Sequence, residues 1–150
     1  MAETIHQEVR DAYGAIAYVG RPFHETHPNR LLAVAQLHGV APPKRETISV
    51  LEIGCGDGAN LVPMAASYPR GRFVGIDLSD RLVAIARALA EGAGIPNVTL
   101  LQGDVGTLPS RVGAFDVIVA HGFYSWVPPD VRDTMFRTIA GMSVVSSMTT

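Results

Sequence analysis

Three glycines at alternate positions, Gly54, Gly56 and Gly58, follow the apolar run ISVLEI and lead into a helical pattern. Glycine at a strand-to-helix junction permits left-handed backbone and leaves no Cβ between the chain and a ligand, so such a turn can cradle a small molecule. The plainer reading is a tight turn without a ligand, and the spacing Gly54-x-Gly56-x-x-Ala59 also fits a dinucleotide site. The neighbouring carboxylates discriminate. Glu52 stands two residues before the first glycine and Asp57 lies inside the turn, whereas a pyrophosphate at a helix N-terminus calls for amide donors. An acidic turn suits a ligand with positive charge. S-adenosylmethionine carries a sulfonium and an ammonium and no phosphate. Plainer roles exist here too: a solvated strand end for Glu52 and a helix cap for Asp57.

Asp77 ends a second apolar run in GIDLS, 19 positions beyond Gly58. A carboxylate there can accept both hydroxyls of a ribose, a role shared by NAD and S-adenosylmethionine sites. Asp104, in LLQGDV, follows a third run, where an adenine amino group can donate to it with Val105 as an apolar neighbour of the ring; alone it reads as a turn residue. Farther on, HGFYSWVPP packs His121, Phe123, Tyr124 and Trp126 together. That cluster is either an aromatic cover for a sheet edge or a wall able to hold a lysine ammonium by cation–π attraction. No Asn/Asp-Pro-Pro-aromatic motif is present, which argues against methylation of an adenine amine or a glutamine amide. Cys55, at a helix start, is either a thiol of lowered pKa or a small space-filler. His24 and His27 lack acidic or cysteine partners, so no metal site is expected.

These residues need elements to hold them. ISVLEI, GRFVGID, NVTLLQ and FDVIVA read as strands, with helices over about 59–68, 80–91 and 128–140, the second capped by Ser79. Leu82, Val83, Ile85, Ala86 and Leu89 give the 80–91 helix its apolar face. Ahead of them, residues 4–13 suit a short helix. A further helix fits 28–39, where Leu31, Leu32, Val34, Ala35 and Leu37 form a stripe and Pro28 suits the first turn. Alternating strand and helix predicts an α/β fold, a Rossmann-like parallel sheet with helices on both faces and N-terminal helices ahead of it. Open sheets of this kind bind ligands at the carboxyl ends of their strands. Every candidate residue from Glu52 to His121 falls at or beside such an end.

Composition narrows the setting. The chain has 150 residues, 47% hydrophobic and 17% charged, with formal net charge −2. That gives no electrostatic case for nucleic acid, and no window approaches the ~18 apolar residues of a membrane span. The N-terminus lacks the layout of a secretory signal. Cys55 is the single cysteine, so no internal disulfide can form, and a cytoplasmic location is expected.

Taken together, VLEIGCGDGANL, FVGIDLS, GDV and FDVIVAHGFYSWVP resemble the ordered motifs of the class I S-adenosylmethionine-dependent methyltransferases. More narrowly, THPNRLLAVAQLHGV, GDGANLVPMAA and AHGFYSWVP resemble the bacterial branch in which this catalytic domain precedes a methyltransferase regulatory domain. That branch is similar to the enzymes described as protein-lysine methyltransferases. The resemblance implies a cofactor pocket of Glu52, Gly54, Cys55, Gly56, Asp57, Asn60, Asp77, Leu78, Asp104, Val105 and His121. Within it the first residues shape the methionine end, Asp77 holds the ribose, and Asp104 with Val105 holds the adenine. It implies a helical lid or substrate segment over 1–47 that includes Tyr13, Tyr18 and His27, and a catalytic core over 48–141; the tail over 142–150 is polar, low in charge and unlike the family, and reads as flexible. The resemblance also implies methyl transfer to an amine, with protein lysine as acceptor and His121 or Tyr124 as candidates to assist loss of the amine proton.

The same resemblance exposes a departure. The class has seven strands in the order 3-2-1-4-5-7-6, while this chain supplies four, in the expected order 3-2-1-4. A truncated enzyme of reduced activity is therefore expected, with a homodimer formed through the open edge of the fourth strand. A non-catalytic nucleotide-binding module that self-associates or pairs with another chain is the alternative.

Overall fold

The four apolar runs form one parallel sheet, built from β1 (Ser49–Ile53), β2 (Arg72–Asp77), β3 (Val98–Gln102) and β4 (Val117–Val119) in the order β3-β2-β1-β4. The computed structural model describes residues 20–108 and 112–142, without the Trp126 side chain. The helix expected over 4–13, Tyr13, Tyr18 and the tail from residue 143 lie outside the described residues. Helices alternate with the strands: α1 (Pro28–Leu37), α2 (Leu61–Ser67), α3 (Asp80–Gly92), the single turn α4 (Phe123–Trp126) and α5 (Pro129–Gly141). Pro28 opens α1, and the Ser79 hydroxyl caps α3 by accepting from the Leu82 amide at 3.3 Å. α4 was not foreseen from the sequence.

Side chains alternate across the sheet, so each strand feeds two cores. Val50, Phe73, Leu100 and Val119 point to one face and pack with Leu61, Val62 and Ala65 of α2 and Val83, Ala86 and Ala90 of α3. Leu51, Ile53, Val74 and Ile76 point to the other and pack with Val105, Phe115 and Met135, the last from α5. In register, Glu52 of β1 pairs with Gly75 of β2 on one side and Val119 of β4 on the other. Gly75 has no room for a side chain: a Cβ there would meet the Cys55 sulfur at 2.7 Å and Leu61 Cδ2 at 2.8 Å.

Three sequence expectations need correction. The apolar stripe of α1 is divided: Leu32 is buried with Pro28 and Leu31 packs against the first core, but Val34 is 47% and Leu37 86% exposed. On α3 the face against the sheet is the narrower Val83, Ala86, Ala90 line, while Ile85 and Leu89 are exposed. Ile85 stands two residues from Val83, about 200° around a helix at 3.6 residues per turn, so it cannot share that line. β4 spans three residues rather than the six of FDVIVA. Asp116, just before it, takes up the pairing differently: its Oδ2 accepts from the Ser49 amide and hydroxyl, each at 2.7 Å.

Phe73→Ala removes a fully buried ring from the first core and should cost about 3–5 kcal/mol, whereas Leu37→Ala should leave stability within about 0.5 kcal/mol. Urea unfolding of both variants checks which face of each element carries the fold.

Candidate functional site

Between β1 and α2 the chain turns through Gly54, Gly56 and Gly58, with φ of 73°, 54° and 77°. At Gly56 the space is open, with nothing within 4 Å of where a Cβ would stand, so the left-handed backbone is what demands glycine there. At Gly54 the space is closed as well, since a Cβ would lie 3.0 Å from the Phe123 ring. The turn is tied to the end of β2. The Gly54 and Cys55 amides donate to the Ile76 carbonyl at 2.8 and 3.1 Å, and the Gly56 amide donates to Asp77 Oδ2 at 2.9 Å. Asp77 Oδ1 accepts from the Ser79 amide at 2.9 Å. Asp77 thus stands half-buried at the strand end, and each oxygen keeps capacity for a further donor. Leu78 follows, its carbonyl accepting from Gln102 Nε2 at 3.2 Å.

Glu52 is the electrostatic centre of the region. It is 5% exposed, so the reading as a solvated strand end fails: β1 is an interior strand, and Asn60 covers the carboxylate. Asn60 Nδ2 donates to Oε1 at 2.6 Å, while Oε2 is buried without a partner among the described residues. Burial raises the Glu52 pKa to about 7, and the nearby charges of Asp77 and Asp57 push the same way against the Asn60 hydrogen bond. The Cys55 thiol is also pushed well up, chiefly by burial and then by Asp77 and Glu52. Cys55 is therefore an inert filler against Gly75 rather than an activated thiol.

The segment from Gly20 to His27 lies against this turn. Asp57 Oδ1 accepts from the Ala59 amide at 3.1 Å, closing the turn, and Oδ2 accepts from the Gly20 amide at 2.9 Å. Asn60 Oδ1 accepts from the Phe23 amide at 2.8 Å, and Asn60 Nδ2 donates to the Thr26 hydroxyl at 3.0 Å. The Phe23 ring stacks on His121, with centroids 3.9 Å apart and planes tilted by 35°, and the Arg21 guanidinium lies 5.3 Å from the Phe23 centroid. His27 is a helix cap: its Nδ1 accepts from the Asn29 amide at 3.3 Å. Phe23 and Thr26 escaped sequence reading because their partners stand 34 or more residues away. A threonine just ahead of a proline-opened helix was the single hint.

The remaining candidates sit farther around the rim. Asp104 Oδ1 accepts from the Gly106 amide at 2.7 Å, making the short turn Val105–Thr107. A small open cavity beside it is lined by Asp104, Asp130, Val131 and Thr134. Val105 is 5% exposed, its side chain packed in the second core. Tyr124 is 48% exposed and turned toward α5, edge-on to Phe136, with the Arg132 guanidinium 4.7 Å from its ring centroid. That face of Tyr124 already holds a cation.

The arrangement gathers Glu52, Asp57, Gly56, Asn60 and Asp77 at the carboxyl ends of β1 and β2, with His121 joined to them through Phe23. It offers carboxylate acceptors and one unsatisfied buried oxygen to a ligand bearing donors and positive charge.

Comparison with known proteins places this geometry. The family model described as Methyltransferase domain matches residues 50–143. An uncharacterized protein of Rickettsia prowazekii is 37% identical over 128 residues, 85% of this chain and 51% of that protein. The structure of PKMT2 from Rickettsia typhi in complex with AdoHcy superimposes with a TM-score of 0.80 at 37% identity, over 83% of this chain and 24% of that one. Magnesium protoporphyrin IX methyltransferase from Synechocystis, with bound SAM, shares the fold at a TM-score of 0.64 and 18% identity, covering 91% of this chain and 71% of its own. The chain thus spans about half the length of the first of these relatives and about a quarter of the second.

The Glu52 carboxyl holds its proton more tightly in the fold than in the unfolded chain, where it titrates near 4.5. Its contribution is therefore greatest at low pH and is lost as pH rises toward about 7. Glu52→Gln should gain roughly 2–3 kcal/mol relative to the parent between pH 5 and pH 8. Urea unfolding of both proteins at the two pH values reads this difference directly, and parallel behaviour would show that Glu52 does not titrate in that window.

Proposed function

The chain belongs to the Methyltransferase domain family, and on that premise we propose that it binds S-adenosylmethionine at the carboxyl ends of β1, β2 and β3 and serves methyl transfer to an amine. The observation that carries this reading is Glu52: a buried carboxylate with one unpartnered oxygen, flanked by Asp57 and Asp77. Such a setting repels a pyrophosphate and favours a ligand bearing an ammonium and a sulfonium. In this reading Glu52 and the Gly54–Gly58 turn hold the methionine end, with Cys55, Asp57 and Asn60 shaping it. Asp77 and Leu78 hold the ribose, Asp104 and Val105 the adenine, and His121 closes the far side.

When bound, the cofactor would supply a methyl group on positively charged sulfur, a carbon open to displacement by an amine lone pair with a neutral thioether as leaving group. The chain's part is alignment and exclusion of water, since the leaving group is already activated. Protein lysine is the favoured acceptor, supported by the resemblance in the flanking motifs and by the 37% identity to PKMT2. His121 and Tyr124 are the candidates to receive the amine proton. Arg132 on the Tyr124 ring weighs against that ring as the lysine cradle. The segment ahead of β1 serves as the lid or substrate element, and residues 48–141 as the cofactor-binding core. The cytoplasm is the proposed location; among the described residues no helix is long and apolar enough to cross a membrane.

Self-association is a second reading with its own support. Among the described residues β4 has no strand on its outer side, and an uncovered edge invites pairing with a second copy. Light scattering across a concentration series should show a dimer growing in, and a monodisperse monomer would remove this reading.

Calorimetric titration with S-adenosylmethionine and with NAD should show binding of the first alone. Asp77→Ala should weaken that binding at least tenfold, since a hydrogen bond to a charged group contributes ~1.5–3 kcal/mol. Unchanged affinity in a folded Asp77→Ala protein, judged by circular dichroism, would overturn the assigned pocket. Radiolabelled methyl transfer to basic protein substrates tests the acceptor separately.

A further inference from the structure

We propose that Thr26 is a positioning residue for this site: through Asn60 it fastens the Gly20–His27 segment to Glu52, so that a cation held at Glu52 and docking of that segment reinforce each other. The inference rests on the cofactor reading above and names the element that responds to it.

The geometry is a continuous buried chain. Asn60 is 7% and Thr26 6% exposed. The Asn60 amide has no spare donor: one hydrogen of Nδ2 goes to Glu52 Oε1 at 2.6 Å and the other to Thr26 Oγ1 at 3.0 Å. Its oxygen faces the Phe23 amide at 2.8 Å. The Thr26 hydroxyl passes its own hydrogen to the Phe23 carbonyl at 2.9 Å, closing a ring of bonds that holds the turn His24–Thr26 in place. Other contacts also hold the segment, from the Gly20 amide to Asp57, from the Phe23 ring to His121 and from the His27 ring to Tyr68. None of these three ends on a group with an unsatisfied buried oxygen. The Asn60 path does, at Glu52 Oε2.

Ionisation sets how firmly that path is held. A carboxylate accepts a shorter and stronger hydrogen bond than a neutral carboxyl, and a positive charge near Oε2 favours the carboxylate. The ionised Glu52 permits one orientation of the Asn60 amide, with nitrogen toward Glu52 and oxygen toward Phe23. A protonated Glu52 can itself donate and so loses its hold on that orientation. Burial already holds Glu52 near the point where both forms coexist at neutral pH. A bound ammonium therefore has a proton equilibrium to shift. Coupling of this kind is reciprocal, so the docked segment must raise affinity for the cation by the factor that the cation raises docking.

The test compares S-adenosylmethionine with methylthioadenosine, which keeps the adenosine but lacks the ammonium and the sulfonium. Hydrogen exchange at residues 20–27 is measured with each ligand at saturation, alongside calorimetric affinity. In the parent protein S-adenosylmethionine should slow exchange there by about fivefold or more, the low end of known couplings, and methylthioadenosine should not. Thr26→Val should still bind S-adenosylmethionine, more weakly, without the ligand-induced slowing, and Thr26→Ser should restore it. A role confined to packing would loosen the segment equally with and without ligand. Failure of the parent to bind S-adenosylmethionine would overturn the cofactor reading itself. Binding without altered exchange at 20–27, equal slowing by both ligands, or unaltered slowing in Thr26→Val would overturn the coupling while leaving that reading intact.

Discussion

The chain must leave an interior strand and enter a helix within seven residues while keeping that strand's carboxyl end open, and everything at the site follows from how it does so. The solution is a left-handed backbone at Gly54, Gly56 and Gly58, anchored by the Ile76 carbonyl and the Asp77 carboxylate at the end of the neighbouring strand. Because the anchors belong to β2, the pairing of β1 with β2 sets the height and aim of the turn. Asp77 does two jobs at once. It secures the Gly56 amide through Oδ2, and it fixes the start of the next turn by accepting from the Ser79 amide through Oδ1.

The second constraint is electrostatic. A carboxylate in the interior of a parallel sheet is costly unless something satisfies it. Asn60 satisfies half of Glu52, and two further acids nearby make the other half harder to ionise. Stability alone would favour a neutral residue at that position. A site that retains the acid has given up some folding free energy for a local demand for positive charge, the kind of mismatch expected where a ligand completes the structure.

Much of this was legible in the sequence for physical reasons that also mark where legibility stops. Apolar runs of strand length alternating with helical patterns disclosed the sheet, and the glycine and acid spacing disclosed which strand ends matter. Local signals such as Ser79 and Pro28 worked because cap and helix are adjacent in the chain. The apolar stripe of α1 misled because periodicity reports that a helix has an apolar side, not that anything covers it; Leu37 points outward. Glu52 left two readings open because its burial depends on Asn60, and the orientation of Asn60 depends on Phe23 and Thr26 far upstream. Tyr124 looked like a free aromatic wall until Arg132, eight residues on, was found over its ring.

The contact between Gly75 and Cys55 has a consequence for how this sequence can drift. Position 75 has no side chain because the Cys55 side chain and Leu61 Cδ2 together occupy the space beside Glu52. The three positions therefore divide one fixed volume, in a core that tolerates neither voids nor overpacking. An added methyl at 75 becomes admissible only when 55 and 61 both give way, and a larger residue at 55 has no partner left that can yield. Across descendants of this chain Gly75 should stay fixed unless 55 and 61 change with it, an epistatic link between the glycine turn, the first turn of α2 and the middle of β2 that the spacing of the motif alone would never show.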